Sequence, residues 1–210
     1  DIEFDVVGPY MLAHKRWYYG TNQGYSHDTK PGEMIAEAVL AADADVNYAD
    51  YDWDGDGEVD QVFVLYAGLG EHDGGSASTI WPHESKLSAS DYKKAINLDG
   101  VKIDTYACSS ELQRGSTICG IGTIRHEFSH CLGFPDTYDP TKTRFGMGTW
   151  DLMDVGSYID NGFTPSCYTG LERMIAGWQN AKVLANDTIV NNMGPISEGG
   201  EFFIVYNEGY

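Results

Sequence analysis

Apolar residues recur at intervals of three and four positions in two stretches of the chain, as they do on the buried face of an α-helix. The first stretch follows Pro31, a residue favoured in the first turn of a helix, and predicts a helix from Pro31 to about Val46. Its predicted buried face consists of Ile35, Ala38, Val39, Ala42 and Val46. A third helix is predicted from about Ser166 to Trp178.

The remaining helical stretch runs from about Thr117 to Leu132 and has clear signals at both ends. Ser116 or Thr117 is the expected N-cap. Gly133 and Pro135 predict the end, because glycine accepts the left-handed conformation that follows many helices and proline cannot continue a helix. The predicted core face consists of Ile121, Ile124, Phe128 and Leu132.

Strands are predicted where apolar residues alternate or form short continuous runs. The continuous run Val62–Ala67 predicts a buried strand, and alternation predicts strands at Glu3–Val7 and Val101–Tyr106. A last strand is predicted at Phe202–Tyr206, whereas residues 140–164 are expected to be irregular. Because helices and strands alternate in the first half and loops dominate the second, the expected fold class is α+β with an α/β-like first half.

Composition narrows the classes of function. A net charge of -19 at pH 7 argues against binding to nucleic acid, because the phosphate backbone would be repelled. Hydrophobic residues make up 42% and charged residues 21%, which is typical of a folded domain rather than a disordered chain. No apolar run approaches the roughly 20 residues that a membrane-spanning helix needs, so no transmembrane segment is expected.

The predicted helix that ends at Leu132 carries His126-Glu127-Phe128-Ser129-His130. Two histidines four positions apart lie on one face, about 6 Å apart along the helix axis, so both can bind one zinc ion. Glu127 is placed to act as general base on a metal-activated water rather than to bind the metal. The structural alternative is a polar helix face on which two histidines happen to be one turn apart.

The third zinc ligand has two candidates, Asp136 and Glu172. The helix break at Gly133 lets the chain turn back, so that Asp136 can reach the metal with a carboxylate oxygen. Metzincin peptidases, which share this extended motif, usually have His at that position. Glu172 lies on a later helix, as the third ligand does in another class of zinc peptidases, but Arg173 beside it favours an exposed helix charge. We favour Asp136.

Met153 lies in the irregular stretch Trp150-Asp151-Leu152-Met153-Asp154. Metzincins place a methionine-containing turn beneath the zinc, where the thioether packs against the histidine rings. Met147 or Met174 could serve equally well as core residues. Met153 is the candidate for this turn because it follows the zinc motif within a loop.

Acidic residues occupy every second position of the loop that precedes Val62, and Gly57 takes the sixth place. This pattern matches the first half of an EF-hand calcium loop. The candidate calcium ligands are Asp52, Asp54, Asp56, Glu58 and Asp60. The twelfth position is Phe63 and a strand follows, so the expected site is a structural calcium loop ahead of a strand rather than an EF-hand. A solvated acidic turn is the alternative.

The four cysteines are even in number and form no C-x-x-C pattern, which argues against a zinc knuckle or a redox motif. We expect two disulfides formed in an oxidising compartment, with buried free thiols as the alternative. Proximity in sequence suggests Cys108 with Cys119, and elimination then leaves Cys131 with Cys167.

Together the motifs resemble the immune inhibitor A family of secreted bacterial metallopeptidases. The segments that carry the resemblance are Tyr18-Tyr19-Gly20, the acidic loop, Ala67-Gly68, Ile80-Trp81-Pro82-His83, the zinc motif with Pro135-Asp136-Thr137-Tyr138-Asp139, and Trp150-Asp151-Leu152-Met153. The resemblance implies a zincin- or metzincin-like catalytic domain with a twisted sheet, a backing helix and an active-site helix. It also implies zinc and calcium, secretion from a bacterium or display at its surface, and a propeptide ahead of residue 1.

The expected organisation is a single catalytic domain over residues 1–210, with an upper part to about residue 133 and a lower part from about 134 to 200. Residues 201–210 are the candidate start of a further β domain. The implied function is hydrolysis of internal peptide bonds in protein or peptide substrates. The competing interpretation is a calcium-stabilised extracellular binding or adhesion module with a vestigial zinc site. Glu127 counts against it, because a structural zinc site needs no base and normally has four protein ligands.

Overall fold

The structure is a computed structural model that describes residues 4–24, 28–141 and 143–206. Its α-helices are α1 (Arg16–Gly20), α2 (Pro31–Ala42), α3 (Ile121–Cys131) and α4 (Gly170–Ile175). Its strands are β1 (Val62–Leu69), β2 (His83–Lys86), β3 (Ile96–Leu98), β4 (Val101–Ile103), β5 (Thr105–Gln113), β6 (Thr117–Ile118), β7 (Lys182–Val183) and β8 (Phe203–Ile204). Short 3₁₀ helices lie at Tyr48–Tyr51, Glu71–Asp73, Gly148–Trp150, Val155–Gly162 and Ile196–Glu198. The mixed α and β class is confirmed.

Strand β5 is the centre of the main sheet. It pairs in parallel with β1 and antiparallel with β2 and β6. The predicted strand at Val62–Ala67 is confirmed and extends to Leu69. The strand predicted at Val101–Tyr106 is divided into β4 and β5, because Asp104 lies between them. The buried carboxylate of Asp104 accepts hydrogen bonds from the backbone N–H and the hydroxyl of Ser88, both at 2.8 Å.

The largest hydrophobic core joins α2 to the strands. Its buried members are Tyr19, Met34, Ile35, Ala36, Val39, Tyr48, Val59, Tyr66, Ile80, Leu87, Ile96, Val101, Ile103, Tyr106 and Cys108. The predicted inner face of α2 is largely confirmed, since Ile35, Val39 and Ala42 are buried. The helix ends at Ala42 rather than Val46, because the N–H groups of Asp45 and Val46 both bond to the Ala42 carbonyl in a turn.

Helix α3 begins at Ile121, four residues later than predicted, because Thr117 and Ile118 pair with the end of β5 instead. The predicted N-cap is therefore wrong, and Gly120 takes that place. The predicted core face is only partly right. Phe128 is buried, but Ile121 is 52% and Leu132 38% exposed.

Helix α3 packs instead through a face that includes Gly122. A Cβ atom on Gly122 would lie 1.8 Å from the Ser157 carbonyl oxygen, so the helix backbone contacts the Val155–Gly162 segment directly. This contact brings the zinc-motif helix against the chain that follows Met153.

The two ends of the described chain depart from the predictions. Residues 4–7, the described part of the predicted Glu3–Val7 strand, form no strand; Glu3 itself lies outside the described residues. Side-chain contacts hold this segment instead, because the Phe4 ring packs edge-on against Phe128 at 5.5 Å between centroids. The final strand shrinks to β8, which pairs with β7. Within the described ranges, no helix is both long enough and apolar enough to cross a membrane.

Candidate metal centre

The imidazoles of His126 and His130 converge on the carboxylate of Asp136. Both histidines lie on α3, one turn apart, with ring centroids 5.0 Å apart. The Nε2 atoms of His126 and His130 lie 3.2 Å and 3.4 Å from Oδ1 of Asp136. The three candidate zinc ligands are therefore brought together around one point.

The chain after α3 turns back in the way the sequence predicts. Gly133 has φ +86°, a left-handed conformation that favours glycine, and its N–H bonds to the His130 carbonyl at 2.9 Å. The N–H of Phe134 then bonds to the Ser129 carbonyl at 3.2 Å. This reversal returns the following residues to the histidines, which places Asp136 at the site.

Backbone carbonyls fix the orientation of both imidazoles. Nδ1 of His126 lies 3.0 Å from the Leu152 carbonyl oxygen, and Nδ1 of His130 lies 2.8 Å from that of Phe134. A carbonyl can only accept, so each Nδ1 carries a proton, and with zinc bound each neutral ring would present its Nε2 lone pair to the common point. Histidines that bind metals in proteins are usually oriented in this way. The donor set therefore fits a zinc ion.

The charges within the cluster stabilise one another. Burial opposes ionisation of Asp136, but hydrogen bonds from His126, His130 and Tyr138 hold the pKa of that carboxyl well below its usual range. The bond to Asp136 raises the pKa of His130 to about 8. An anionic carboxylate at this position is what a cation bound by the two histidines requires.

Glu127 lies beside the cluster and is enclosed. Its side chain is 8% exposed, and one carboxylate oxygen lies within 4.8 Å of ligand atoms on His126 and His130. Burial raises the pKa of Glu127, while the neighbouring histidines act in the opposite direction. The carboxyl thus lies next to the metal position, close enough to both histidines to reach an ion or a water molecule bound there.

The site opens into a cleft of about 330 Å³. Besides the site residues it is lined by Trp81, Pro82, His83, Glu84 and Tyr138. Burial, together with the bond to Asp136, raises the pKa of Tyr138 to about 12, so this phenol is a neutral donor beside the metal position. Spacing in the sequence did not single out Tyr138, whose only signal was its place in the segment that carries the family resemblance.

The segment with Met153 supports the site through hydrogen bonds to its backbone carbonyls. Met153 is fully buried in a small core with Phe134 and Leu152, whereas Met147 is exposed. The Leu152 carbonyl accepts from His126, and the Met153 carbonyl accepts from the Thr137 N–H at 3.0 Å. This turn is therefore bonded both to a candidate ligand and to the residue that follows Asp136.

Glu172 does not lie where the sequence suggested. It is 4% exposed, so the interpretation as an exposed helix charge is wrong. It lies at the start of α4, where its carboxylate accepts hydrogen bonds from the N–H and the hydroxyl of Thr169 at 2.6 and 2.9 Å in a capping box. These bonds turn the carboxylate towards its own helix terminus. Helix α4 is also shorter than predicted, because this cap starts it at Gly170.

The acidic loop brings together part of its candidate calcium set. Ligand atoms of Asp52, Asp54 and Asp60 all lie within 4.8 Å of one another. The Asp52 carboxylate accepts hydrogen bonds from the N–H groups of Gly55, Asp56 and Gly57 at 2.9–3.0 Å, which holds the loop closed around it. Three carboxylates held so close together fit a calcium ion, which prefers oxygen ligands.

The other two residues of the candidate calcium set are placed differently. The Glu58 carboxylate forms an ion pair with Lys102 on β4, so its side chain is directed to the neighbouring strand. Asp56 accepts a hydrogen bond from the Glu58 N–H at 2.8 Å and lies outside the close group. The EF-hand pattern assigns the backbone carbonyl, not the side chain, of the residue at the Glu58 position to the ion.

The predicted disulfides are absent, because Cys108, Cys119, Cys131 and Cys167 are all free thiols. Cys108 is fully buried on β5, where its sulfur lies 3.5 Å from Nδ1 of His83. The Cys131 thiol donates to the Glu127 carbonyl one turn earlier in α3. Neither proposed pair is joined, so sequence proximity and elimination gave the wrong answer. Burial raises the pKa of Cys131 to about 12, which keeps that thiol protonated.

Comparison with known proteins agrees with the class that this geometry defines, a metallopeptidase. Residues 1–180 match the family described as immune inhibitor A peptidase M6, catalytic domain, and the chain belongs to that family. The chain is 28% identical over 211 residues to the pre-pro-metalloprotease PrtV of Vibrio cholerae serotype O1 strain M66-2. The alignment covers 86% of this chain and 23% of that protein.

A second relative is immune inhibitor A of Bacillus thuringiensis subsp. alesti. It is 26% identical over 181 residues, covering 72% of this chain and 26% of that protein. The chain thus spans about a quarter of the length of the curated relatives it matches.

Proposed function

We propose that this chain is the catalytic domain of an extracellular zinc endopeptidase that hydrolyses internal peptide bonds of proteins. The observation that carries the proposal is the convergence of two oriented imidazoles and one carboxylate beside a buried carboxyl, at the floor of a cleft. His126, His130 and Asp136 would hold the zinc. Membership of a metallopeptidase family and the similarity to the pre-pro-metalloprotease PrtV support this proposal.

Zinc at this position would supply a Lewis acid that polarises the scissile carbonyl and makes water nucleophilic near neutral pH. The Glu127 carboxylate takes a proton from the attacking water and returns it to the nitrogen of the departing amine. Its enclosure favours this role, because burial raises the pKa of Glu127 towards the range in which a carboxylate can both accept and release a proton. The Tyr138 hydroxyl stays protonated and can donate to Asp136 or to a bound peptide.

Calcium in the acidic loop would be structural. Asp52, Asp54 and Asp60 would hold the ion directly ahead of β1, which pairs with the central strand β5. The ion would neutralise carboxylates that otherwise repel one another, and so stabilise the start of the main sheet.

The test compares unmutated protein with Glu127→Gln and with Glu198→Gln, a matched change at an exposed carboxyl far along the sequence. We expect Glu127→Gln to abolish cleavage of casein while zinc content stays near one ion per chain, and Glu198→Gln to behave as the unmutated protein. Substantial cleavage by Glu127→Gln would reject the general-base role. Zinc binding without any cleavage by the unmutated protein would favour the binding-module interpretation instead.

A further inference from the structure

The carboxyl groups of two buried residues, Asp151 and Glu172, are neighbours in the interior of the protein. Asp151 is 1% and Glu172 4% exposed, and Asp151 is close enough to Glu172 to act on its pKa through charge and hydrogen bonding. Within the described ranges, neither carboxyl forms an ion pair with a Lys, Arg or His side chain. Two buried carboxylates in contact cannot both be ionised at low cost, so the pair must hold a proton.

Asp151 makes the hydrogen bonds expected of the ionised partner. Its Oδ1 accepts from the Met153 N–H at 3.1 Å, and its Oδ2 accepts from the Thr137 hydroxyl at 2.8 Å. Donors directed at both oxygens stabilise the carboxylate form.

Glu172 makes the hydrogen bonds expected of the protonated partner. Its Oε2 accepts both hydrogen bonds from Thr169, whereas its Oε1 is fully buried and meets no donor in the described structure. A buried carboxylate oxygen without a donor would cost about 1–3 kcal/mol or more. A proton on Oε1 removes that cost, because the oxygen then becomes a donor.

We propose that Glu172 is kept as the neutral acid and donates its Oε1 proton to Asp151, and that this carboxylic acid–carboxylate pair is a positioning device for the loop that carries Asp136. The inference deepens the proposed function, because Asp136 matters only if the site binds a metal. Glu172 is a positioning residue and touches neither the substrate nor the metal position.

The pair connects α4 to the site through a continuous set of bonds. Asp151 holds Thr137, the residue after Asp136, by its side chain, and the Met153 carbonyl holds the Thr137 N–H. The adjacent Leu152 carbonyl orients His126. If Asp151 loses the proton that Glu172 donates, the loop with Asp136 and the support of His126 are both weakened.

The pair should make the folded state less stable as the pH rises. Burial and the charge of Asp151 raise the pKa of Glu172 above its ordinary value of 4.5. The Tyr168 phenol also lies in the field of Glu172, but its hydroxyl contacts Ser129. A raised pKa in the folded state means that the stabilisation is complete below pH 4.5 and is lost as the pH rises through the folded pKa.

The direct test is infrared spectroscopy of the zinc- and calcium-loaded protein at neutral pH. A protonated carboxylic acid has a carbonyl stretching band separate from those of carboxylates. We expect the difference between unmutated protein and Glu172→Gln to contain one such band, whereas the difference for Glu198→Gln contains none. Absence of the band from the Glu172→Gln difference overturns the proposal.

The functional test separates the proton from the carboxyl group. The amide of Glu172→Gln donates N–H to Asp151 at every pH, so we expect this variant to keep the zinc affinity and kcat of the unmutated protein. It should lose the fall in melting temperature that the unmutated protein shows as the pH rises above 4.5. Glu172→Ala removes the Glu172 donor and leaves Asp151 only those of Met153 and Thr137, so we expect zinc affinity to fall about 10- to 100-fold, as for other residues that support metal ligands. An unchanged zinc affinity in Glu172→Ala contradicts the positioning role.

Two outcomes keep this inference distinct from the proposed function. If the infrared band is present but no variant cleaves protein, the shared proton stands and the peptidase proposal fails. If Glu172→Gln does not fold, the infrared measurement is made on Asp151→Asn instead. The new amide then donates to Glu172, which should ionise and lose the band, and persistence of the band in Asp151→Asn overturns the proposal.

Discussion

Gly122→Ala tests whether α3 and the segment after Met153 are in backbone contact. In the middle of an ordinary helix, replacing glycine by alanine stabilises a protein by about 0.5–1 kcal/mol. Here the added Cβ would lie 1.8 Å from the Ser157 carbonyl oxygen, whereas ordinary contacts begin at 3.4 Å. The two backbones would have to separate by about 1.6 Å, the difference between these two distances, since neither atom belongs to a flexible side chain.

The expected magnitude follows from these opposing effects. Overpacking of this kind costs about 1–3 kcal/mol, which exceeds the gain in helix propensity. A net loss of about 1–2 kcal/mol corresponds to a fall in melting temperature of roughly 2–8 °C for a chain of this size. Zinc affinity should fall as well, because Gly122 lies one turn before His126, and the separation moves α3 away from the Leu152 carbonyl.

Calorimetric melting curves and zinc titrations check both effects. Gly194→Ala is the matched control, because its nearest neighbour would be an ordinary 3.8 Å away. If Gly122→Ala raises the melting temperature and leaves zinc affinity unchanged, the close contact between α3 and the Val155–Gly162 segment does not exist.

The remaining predictions concern the metal ligands and one buried acid. Asp136→Asn should lower zinc affinity by more than about tenfold in competition with a chromophoric chelator, and unchanged affinity would move the third ligand elsewhere. Calcium should raise the melting temperature, because binding at one hundred times its dissociation constant adds about 2.7 kcal/mol to the free energy of unfolding. Asp54→Ala should remove this gain, whereas Asp187→Ala, a change at an exposed carboxyl, should keep it. A melting temperature indifferent to calcium would leave only an acidic turn. Burial raises the pKa of Asp28 to about 6, so stability should decline as the pH rises from 3.8 through 6. Urea unfolding of Asp28→Asn should show a flatter pH profile, and identical profiles would contradict the assignment.

The candidate zinc site could be predicted from the sequence because its geometry is local. His126 and His130 share a face through helical spacing alone, and Gly133 reverses the chain within a few residues, which is enough to bring Asp136 back. The same is true of part of the acidic loop, where alternation and two glycines place Asp52 near Asp54. These features depend on backbone conformation over about ten residues.

What the sequence did not predict depends on contacts between distant segments. Ile121 fits the apolar period of α3, yet it is exposed because the helix packs through Gly122, whose small size matters only when Ser157 is beside it. Glu172 was interpreted as an exposed charge because its burial requires Asp151, some twenty residues away. The pairing of Glu58 with Lys102 has the same origin, since β4 supplies the lysine.

The four free thiols give the protein a set of built-in probes of local unfolding. They lie on β5, next to β6, on α3 and shortly before α4, so they sample separate parts of the fold. Cys108 is fully buried, so an alkylating reagent can reach it only when β5 is released from its neighbours. Brief exposure to such a reagent, followed by mass spectrometry of peptides, would rank the four regions by the free energy needed to open them. No engineered label is needed, and reductant in the buffer should leave the folded state intact.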